Sequence, residues 1–120
     1  MALRTFDVAP LTPADFAGLA GHLLPGETIA AAFRGETTTV MFTDRRIVTV
    51  QRQVVISERI ETSSISYRAV RMFSLNRGAG GEGRAELRIV LESDSHPLHL
   101  RADAAGDFGS VEALLAARLA

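Results

Sequence analysis

Apolar and polar residues alternate along most of the chain with a period of two, the pattern of β-strands that bury one face. The alternation is clearest over residues 85–92, where apolar side chains occupy every second position. Short turn signals separate the segments, as at Gly35–Glu36 and Asp44–Arg45. This spacing predicts an antiparallel meander, folded either as a barrel or as a sandwich. Seven strands are predicted, at residues 29–34, 38–42, 46–51, 54–64, 70–75, 85–92 and 98–101.

A short helix is predicted before these strands, beginning at Thr12. Thr12 suits the capping position and Pro13 the first helical position. Apolar residues then follow at helical spacing, at Phe16, Leu19, Ala20 and Leu23. The turn-forming residues 24–27 end the helix. Residues 1–11 show neither the period of two of a strand nor helical spacing, and they are predicted to form an irregular arm.

A second helix is predicted over residues 107–120. Its apolar residues fall on one stripe, which consists of Phe108, Val111, Leu114, Leu115 and Leu119. Such a stripe must be buried against the rest of the domain. We expect the helix to lie across the open end of the barrel, where it also covers sheet edges.

The length of 120 residues predicts one domain with a substantial core. Within it we expect an N-terminal arm and helix (1–24), a β-barrel (27–102) and a C-terminal helix (107–120). The net charge of −1 gives no field that would attract nucleic acid. The absence of cysteine excludes disulfides and thiolate chemistry. No signal peptide and no apolar run of about 18 residues is visible, so a cytoplasmic location is expected.

Four short sequence motifs occur in a characteristic order. They are LPGETI at 24–29, VMFTDRRI at 40–47, ISYRAV at 65–70 and AEL at 85–87. In this order the chain resembles the bacterial pleckstrin-homology (PH) domain family, from about residue 22 to residue 119. Two features depart from that family: Ser66 stands where proline is frequent, and residues 76–84 are unusually rich in glycine.

The resemblance implies a mainly β, PH-like fold. It would be a seven-stranded antiparallel barrel of two packed sheets, capped by the C-terminal helix and preceded by the short N-terminal one. The resemblance also implies a tendency to form homo-oligomers. It implies no particular ligand and no cofactor.

Three arginines are candidates for binding an anion. Arg34, Arg46 and Arg52 lie in or beside the predicted hairpin strands, near the loop that carries the phosphoinositide site in eukaryotic PH domains. In this chain the loop holds one basic residue next to Glu36. A structural role, with an arginine satisfying a carboxylate or turn carbonyls, is the interpretation that the interspersed acidic residues favour.

No residue set predicts catalysis or metal binding. Residues 78–83 match a glycine-rich nucleotide motif, but a strand rather than a helix is predicted after them. His96 and His99 are three apart, which on a strand directs them to opposite faces. Residues 107–109 match the Asp-Phe-Gly motif of protein kinases, but the chain is too short for the kinase fold.

The leading functional hypothesis is a non-enzymatic interaction or scaffold module that associates with itself through sheet edges. An apolar strand face formed by Val54, Ile56 and Ile60 would extend that contact. The alternative is a weak lipid- or anion-binding module at a membrane surface, using Arg34, Arg46 and Arg52. An enzyme ranks third, because no catalytic constellation is present. A heterologous protein partner is not identified by the sequence.

Overall fold

Two β-sheets pack face to face in a computed structural model that describes residues 4–54, 57–76, 85–92, 97–103 and 108–119. The first sheet has the order β1 (Arg4–Asp7), β9 (Leu98–Ala102), β8 (Ala85–Leu91), β7 (Val70–Asn76). The second has the order β2 (Ala9–Pro10), β3 (Ile29–Arg34), β4 (Thr38–Thr43), β5 (Arg46–Val54), β6 (Glu58–Ser66). A single 3₁₀ turn, Tyr67–Ala69, leads from β6 into β7.

The seven predicted strands correspond to β3–β9, so the prediction of a mainly β fold with two packed sheets is confirmed. In the described residues the sheets form a sandwich without closing into one continuous barrel, because no ladder joins β6 to β7. The predicted C-terminal helix is also present, as α2 (Gly109–Leu119).

Residues 4–10 of the N-terminal arm form two short strands, so the prediction of an irregular segment at residues 1–11 was wrong there, while residues 1–3 lie outside the described residues. β1 runs parallel to β9, with Arg4 opposite Leu98 and Asp7 opposite Arg101. β2 pairs antiparallel with β3. The parallel pair also corrects the expectation of a wholly antiparallel arrangement. Strands this short give no readable alternation, and backbone pairing at a sheet edge does not require one.

The main core lies between the sheets and under α2. Phe33 packs edge-on against Phe42, with ring centroids 6.1 Å apart, and lies 5.1 Å from Phe108. Val111 and Leu115 of α2 are fully buried, as the apolar stripe predicted, whereas Leu119 is 40% exposed. Full burial of each such side chain stabilises the fold by about 2 kcal/mol.

A second, smaller apolar cluster covers the outer face of the five-stranded sheet. The predicted N-terminal helix begins as α1 (Pro13–Phe16), where Asp15 Oδ2 accepts a bond from the Thr12 amide at 2.9 Å. It continues as a 3₁₀ helix, Ala17–His22. Leu19 of this segment packs on the sheet against three buried residues, Ala32, Met41 and Val48.

Ile29 belongs to this outer cluster rather than to the main core. The alternation in the sequence predicted it on the same face as Ala31 and Phe33. A register shift between Ile29 and Ala31 interrupts the β3–β4 ladder. A bulge of this kind turns the preceding side chain to the other face of the sheet.

Candidate functional site

A buried glutamate, Glu27, lies where the N-terminal helix passes into β3. Gly26 before it has φ of +78°, a left-handed conformation that glycine adopts without strain. The Glu27 amide donates to the Leu24 carbonyl at 3.0 Å, and the Leu24 amide donates to Glu27 Oε1 at 2.9 Å. This tight turn directs the carboxylate into the domain, where the side chain is 0% exposed.

Arg46 at the start of β5 forms a two-pronged ion pair with that carboxylate. Its Nε lies 2.9 Å from Glu27 Oε2, and its Nη2 lies 2.9 Å from Glu27 Oε1. The same guanidinium donates to the His22 carbonyl at 3.1 Å and to the Ser64 hydroxyl. Charge-assisted bonds in this geometry are among the strongest in proteins. Arg46 therefore fastens the end of the N-terminal helical segment to β5 and β6.

The ion pair changes the proton affinity of both partners. The hydrogen bonds from Arg46, from the Leu24 amide and from the Thr43 hydroxyl lower the pKa of Glu27 to about 2, against the opposing effect of burial. The Glu27 carboxylate in turn raises the pKa of Arg46. Both side chains remain charged throughout the physiological pH range.

Thr43, at the end of β4, links the ion pair to the neighbouring turn. Its hydroxyl donates to Glu27 Oε2 at 2.7 Å and accepts bonds from the amides of Arg45 and Arg46, at 3.1 and 3.0 Å. Asp44 pairs with Thr28 through both its amide and its carboxylate. The β4–β5 turn is thus fixed by side chains as well as by the strand ladder.

Tyr67 completes this group from the corner between the two sheets. Its hydroxyl donates to the Thr43 carbonyl at 2.5 Å, and the residue is 7% exposed. The guanidinium of Arg118, on α2, lies 5.0 Å from the ring centroid and donates to the Asp44 carbonyl. Burial raises the pKa of Tyr67 to about 12, with Arg118 opposing the shift.

We call these four residues, Glu27, Thr43, Arg46 and Tyr67, the Glu27 cluster. Three of the short sequence motifs that carry the family resemblance contribute residues to this cluster. The first contributes Glu27, the second contributes Thr43 and Arg46, and the third contributes Tyr67. The enclosed carboxylate accepts bonds at both oxygens from protein groups. The cluster is therefore built to hold the N-terminal segment, the β4–β5 turn and the sheet corner together.

The predicted anion-binding residues are divided by the structure. Arg34 and Arg52 line one cleft of about 220 Å³ beside the β3–β4 hairpin, here called the hairpin cleft. Arg46 is not part of that lining and is engaged with Glu27. The other residues that line the cleft are Gly35, Glu36, Thr37, Thr38, Thr39, Val50 and Ile60.

Two long strands, β6 and β7, form edges of the two sheets. In the described part of the chain neither has a partner on its outer side. Ile60 on β6 is 61% exposed and Met72 on β7 is 50% exposed. Of the apolar face predicted around Val54, Ile56 and Ile60, Ile56 lies outside the described residues and only the backbone of Val54 is described.

Several sequence motifs lie outside the described residues, namely residues 78–83, His96 and Asp107. Among the residues that are described, no group of three or more His, Asp or Glu side chains is placed to hold a metal ion. No helix in those residues is long and apolar enough to cross a membrane.

Comparison with known proteins identifies a relative of similar sequence. An uncharacterized protein of Bacillus subtilis (strain 168), YjqA, is 32% identical over 79 residues. Those residues make up 66% of this chain and 63% of the relative, so the match spans less than two thirds of that relative's length.

Solved structures share the fold at low sequence identity. A DUF1696 family protein with a pleckstrin-homology domain from Shewanella loihica superposes with a TM-score of 0.70 at 21% identity, covering 92% of this chain and 96% of that one. A PH-domain-containing protein from Exiguobacterium sibiricum gives 0.68 at 17% identity, covering 96% and 61%. The sequence profile of the bacterial PH domain matches residues 13–119. The chain therefore belongs to the bacterial PH domain family.

Proposed function

We propose that the chain is a non-enzymatic interaction module that associates with itself through the long edges of its two sheets. The observation that carries this proposal is β6, a nine-residue edge strand whose first five residues, 58–62, are exposed. Unpaired backbone groups along such an edge are a template for adding another strand.

The contrast with the opposite edges supports the proposal. There the outermost strands are β1 and β2, of four and two residues. Short edge strands are one way in which proteins block unwanted pairing. The edges at β6 and β7, with nine and seven residues, lack that protection.

The Glu27 cluster supports a non-enzymatic role. Its carboxylate has a strongly shifted pKa, which is a common mark of an active site. Catalysis also requires the shifted group to reach a substrate. Glu27 is enclosed and its oxygens accept bonds from Arg46, Thr43 and Leu24, so the shift reflects structural pairing.

Light scattering coupled to size exclusion, over a wide concentration range, tests the proposal. We expect a discrete mass that is a multiple of 12.9 kDa. Ile60→Lys places a charge on the β6 edge and Met72→Lys places one on the β7 edge. At least one of these two variants should have a lower mass than the native chain. Leu24→Lys is the control, since Leu24 is also exposed but lies on neither edge. A monomer at every concentration would contradict the proposal.

A second candidate function is weak binding of an anion or an anionic lipid at a membrane surface. It is favoured by one observation, that Arg34 and Arg52 line the same cleft. Glu36 in that lining opposes it. Arg46, which the sequence grouped with them, would have to leave Glu27 in order to contribute.

Co-sedimentation with vesicles tests this second function. Binding should appear with phosphatidylserine vesicles at low salt, be absent with phosphatidylcholine vesicles, and fall as salt rises. Arg34→Glu together with Arg52→Glu should abolish it, whereas Arg88→Glu, an exposed site on the other sheet, should not. No sedimentation with phosphatidylserine at low salt would exclude the function.

A further inference from the structure

The strand β7 is the outer strand of the four-stranded sheet, and in the described part of the chain no strand pairs with its open side. It runs for seven residues, beginning with Val70 directly after the Tyr67 corner. Met72 near its beginning is 50% exposed. An edge of this length can accept a further strand through its backbone.

Two hydrogen bonds fix the direction of the backbone groups in the neighbouring strand, β8. The Arg101 carbonyl accepts a bond from the Val8 amide at 2.8 Å, so Arg101 points toward β1. Glu86, which lies opposite Arg101, therefore points away from β9 and toward β7. The Glu92 amide donates to the Ala69 carbonyl at 2.7 Å, which gives the same direction at the other end of β8. The even-numbered residues of β8 thus bond toward β7.

The same alternation assigns the backbone groups of β7. Its residues 72, 74 and 76 lie opposite residues 90, 88 and 86 of β8, so they bond inward to that strand. Phe73 and Leu75 then direct their amides and carbonyls to the open side. An added strand would form its hydrogen bonds with these two residues.

The inner side of this edge is apolar and only half-covered. The side chains of Phe73 and Leu75 pack against the main core and are half-buried, as is Leu114 on α2. The helix α2 contacts β7. Because side chains alternate between the faces of a strand, every second residue of an added strand would lie over these three side chains. Apolar residues suit those positions.

The beginning of β7 is basic. Arg71 on the strand and Arg68 in the turn before it are exposed, and β7 contains no acidic residue. Within the described residues neither arginine forms an ion pair. Glu92 at the end of β8 is also exposed and offsets only part of this charge. The edge therefore favours an acidic partner at this end.

We propose that β7 binds an extended acidic segment of a different protein as an additional antiparallel strand. The antiparallel direction is the more stable one per residue. It places the C-terminal end of the segment beside Arg68 and Arg71, where its acidic residues belong. Alternate apolar residues before that end face Phe73, Leu75 and Leu114. This inference goes beyond the proposed self-association, because the partner is not a second copy of the chain.

Selection from random peptides displayed on phage tests the chemistry of the partner. The peptides should be about 12 residues long, which exceeds a typical strand. We expect the native chain to enrich peptides with Asp or Glu toward the C-terminal end and alternating apolar residues before it. The double variant R68E/R71E should enrich basic residues at that end instead. Arg88→Glu, exposed on the same sheet but away from the open side of β7, is the control and should select like the native chain.

A synthetic copy of one enriched peptide then tests the mode of binding, by fluorescence anisotropy. N-methylation should abolish binding at the two positions whose amides bond to Phe73 and Leu75, and should have little effect at the position between them. R68E/R71E should weaken binding about tenfold at low salt. That difference should shrink as salt rises.

The outcomes separate this inference from the proposed self-association. An acidic peptide that binds with the expected N-methylation pattern supports the inference even if the native chain is a monomer. Absence of enrichment, enrichment without an acidic bias, or an N-methylation effect without a period of two would overturn it. If Met72→Lys lowers the mass of the native assembly and no peptide is selected, β7 pairs with a second copy, and self-association stands alone. Circular dichroism of R68E/R71E checks that the fold is retained.

Discussion

At the scale of single residues, the ion pair between Glu27 and Arg46 joins positions 19 residues apart in the chain. Neither residue was singled out as half of a pair by the sequence. Arg46 was grouped with Arg34 and Arg52 because all three are basic and near one hairpin. The structure gives Arg46 a buried carboxylate and the His22 carbonyl as partners, which corresponds to the structural role considered for these arginines in the sequence.

We expect Glu27→Gln to lower the free energy of unfolding by roughly 3 kcal/mol. The substitution keeps the shape of the side chain but leaves the Arg46 cation mostly buried without a counter-charge. Denaturant titration measures the change. Glu36→Gln, at an exposed position, is the matched control and should change stability by less than about 0.5 kcal/mol. Equal effects of the two substitutions would show that the pair contributes little.

The same carboxylate predicts how stability depends on acid. The pKa of Glu27 in the folded chain is about 2, below its ordinary value of 4.5. A lowered folded pKa means that the stabilisation is complete above the unfolded value and is lost as pH falls toward the folded one. The native chain should therefore lose more stability than Glu27→Gln between about pH 5 and pH 2. Parallel curves for the two proteins would contradict this assignment.

Tyr67 offers a direct optical test, because the chain has one tyrosine and no tryptophan. Burial raises its pKa to about 12, so the folded chain should show little tyrosinate absorbance at pH values where a free tyrosine ionises, about 10. Since the folded pKa is raised, stability should fall as pH rises from 10 toward 12. Titration of the denatured chain supplies the reference. A folded-state midpoint near 10 would contradict the burial of the hydroxyl.

At the scale of elements, the N-terminal arm depends on the β3–β4 hairpin that it crosses. A Cβ added at Gly35 would lie 2.5 Å from the Asp7 carbonyl oxygen, so only glycine allows the arm to pass this closely. The arm beyond it is held by the bond from the Val8 amide to the Arg101 carbonyl, at 2.8 Å. Gly35 thus sets the path by which the chain moves from one sheet to the other.

We expect Gly35→Ala to lower the free energy of unfolding by roughly 2 kcal/mol, because a backbone atom has to move to admit the methyl group. Limited proteolysis should also cleave the displaced arm sooner. Gly18→Ala is the control, since nothing lies within 4 Å of the added Cβ. There the helical propensity of alanine should leave stability unchanged or raise it by at most about 1 kcal/mol. If Gly35→Ala behaves like Gly18→Ala, the close approach is not limiting.

At the scale of the whole molecule, the two sheets are connected at opposite sides by different means. On one side the arm places β1 in the first sheet and β2 in the second. On the other, the Tyr67 corner leads from β6 to β7, and its hydroxyl is bonded to Thr43. Between them, β3, β8 and α2 contribute to the same core.

This connectivity predicts a single cooperative unfolding transition, as for one domain. Tyr67 fluorescence reports on the corner, and far-ultraviolet circular dichroism reports on both sheets. The two signals should give the same midpoint and the same slope in denaturant. Separate transitions would mean that the sheets, or the N-terminal segment, unfold independently.

The strand pattern was readable from the sequence because burial of one sheet face imposes a period of two. The stripe of Val111, Leu114 and Leu115 likewise predicted the face of α2 that is buried or half-buried. Where that rule did not apply, the prediction was wrong. β1 and β2 are too short to show a period, and the bulge before Ala31 turned Ile29 to the opposite face.

What the sequence determined by itself was therefore the local architecture: seven strands, two helices and the family to which the chain belongs. Tertiary structure alone decided which charges meet. Strand register and turn geometry bring Glu27 within hydrogen-bonding distance of Arg46. They also place Arg34 and Arg52 in one cleft. Alternation of apolar residues fixes which face is buried, but it carries no information on which polar side chain will lie opposite another.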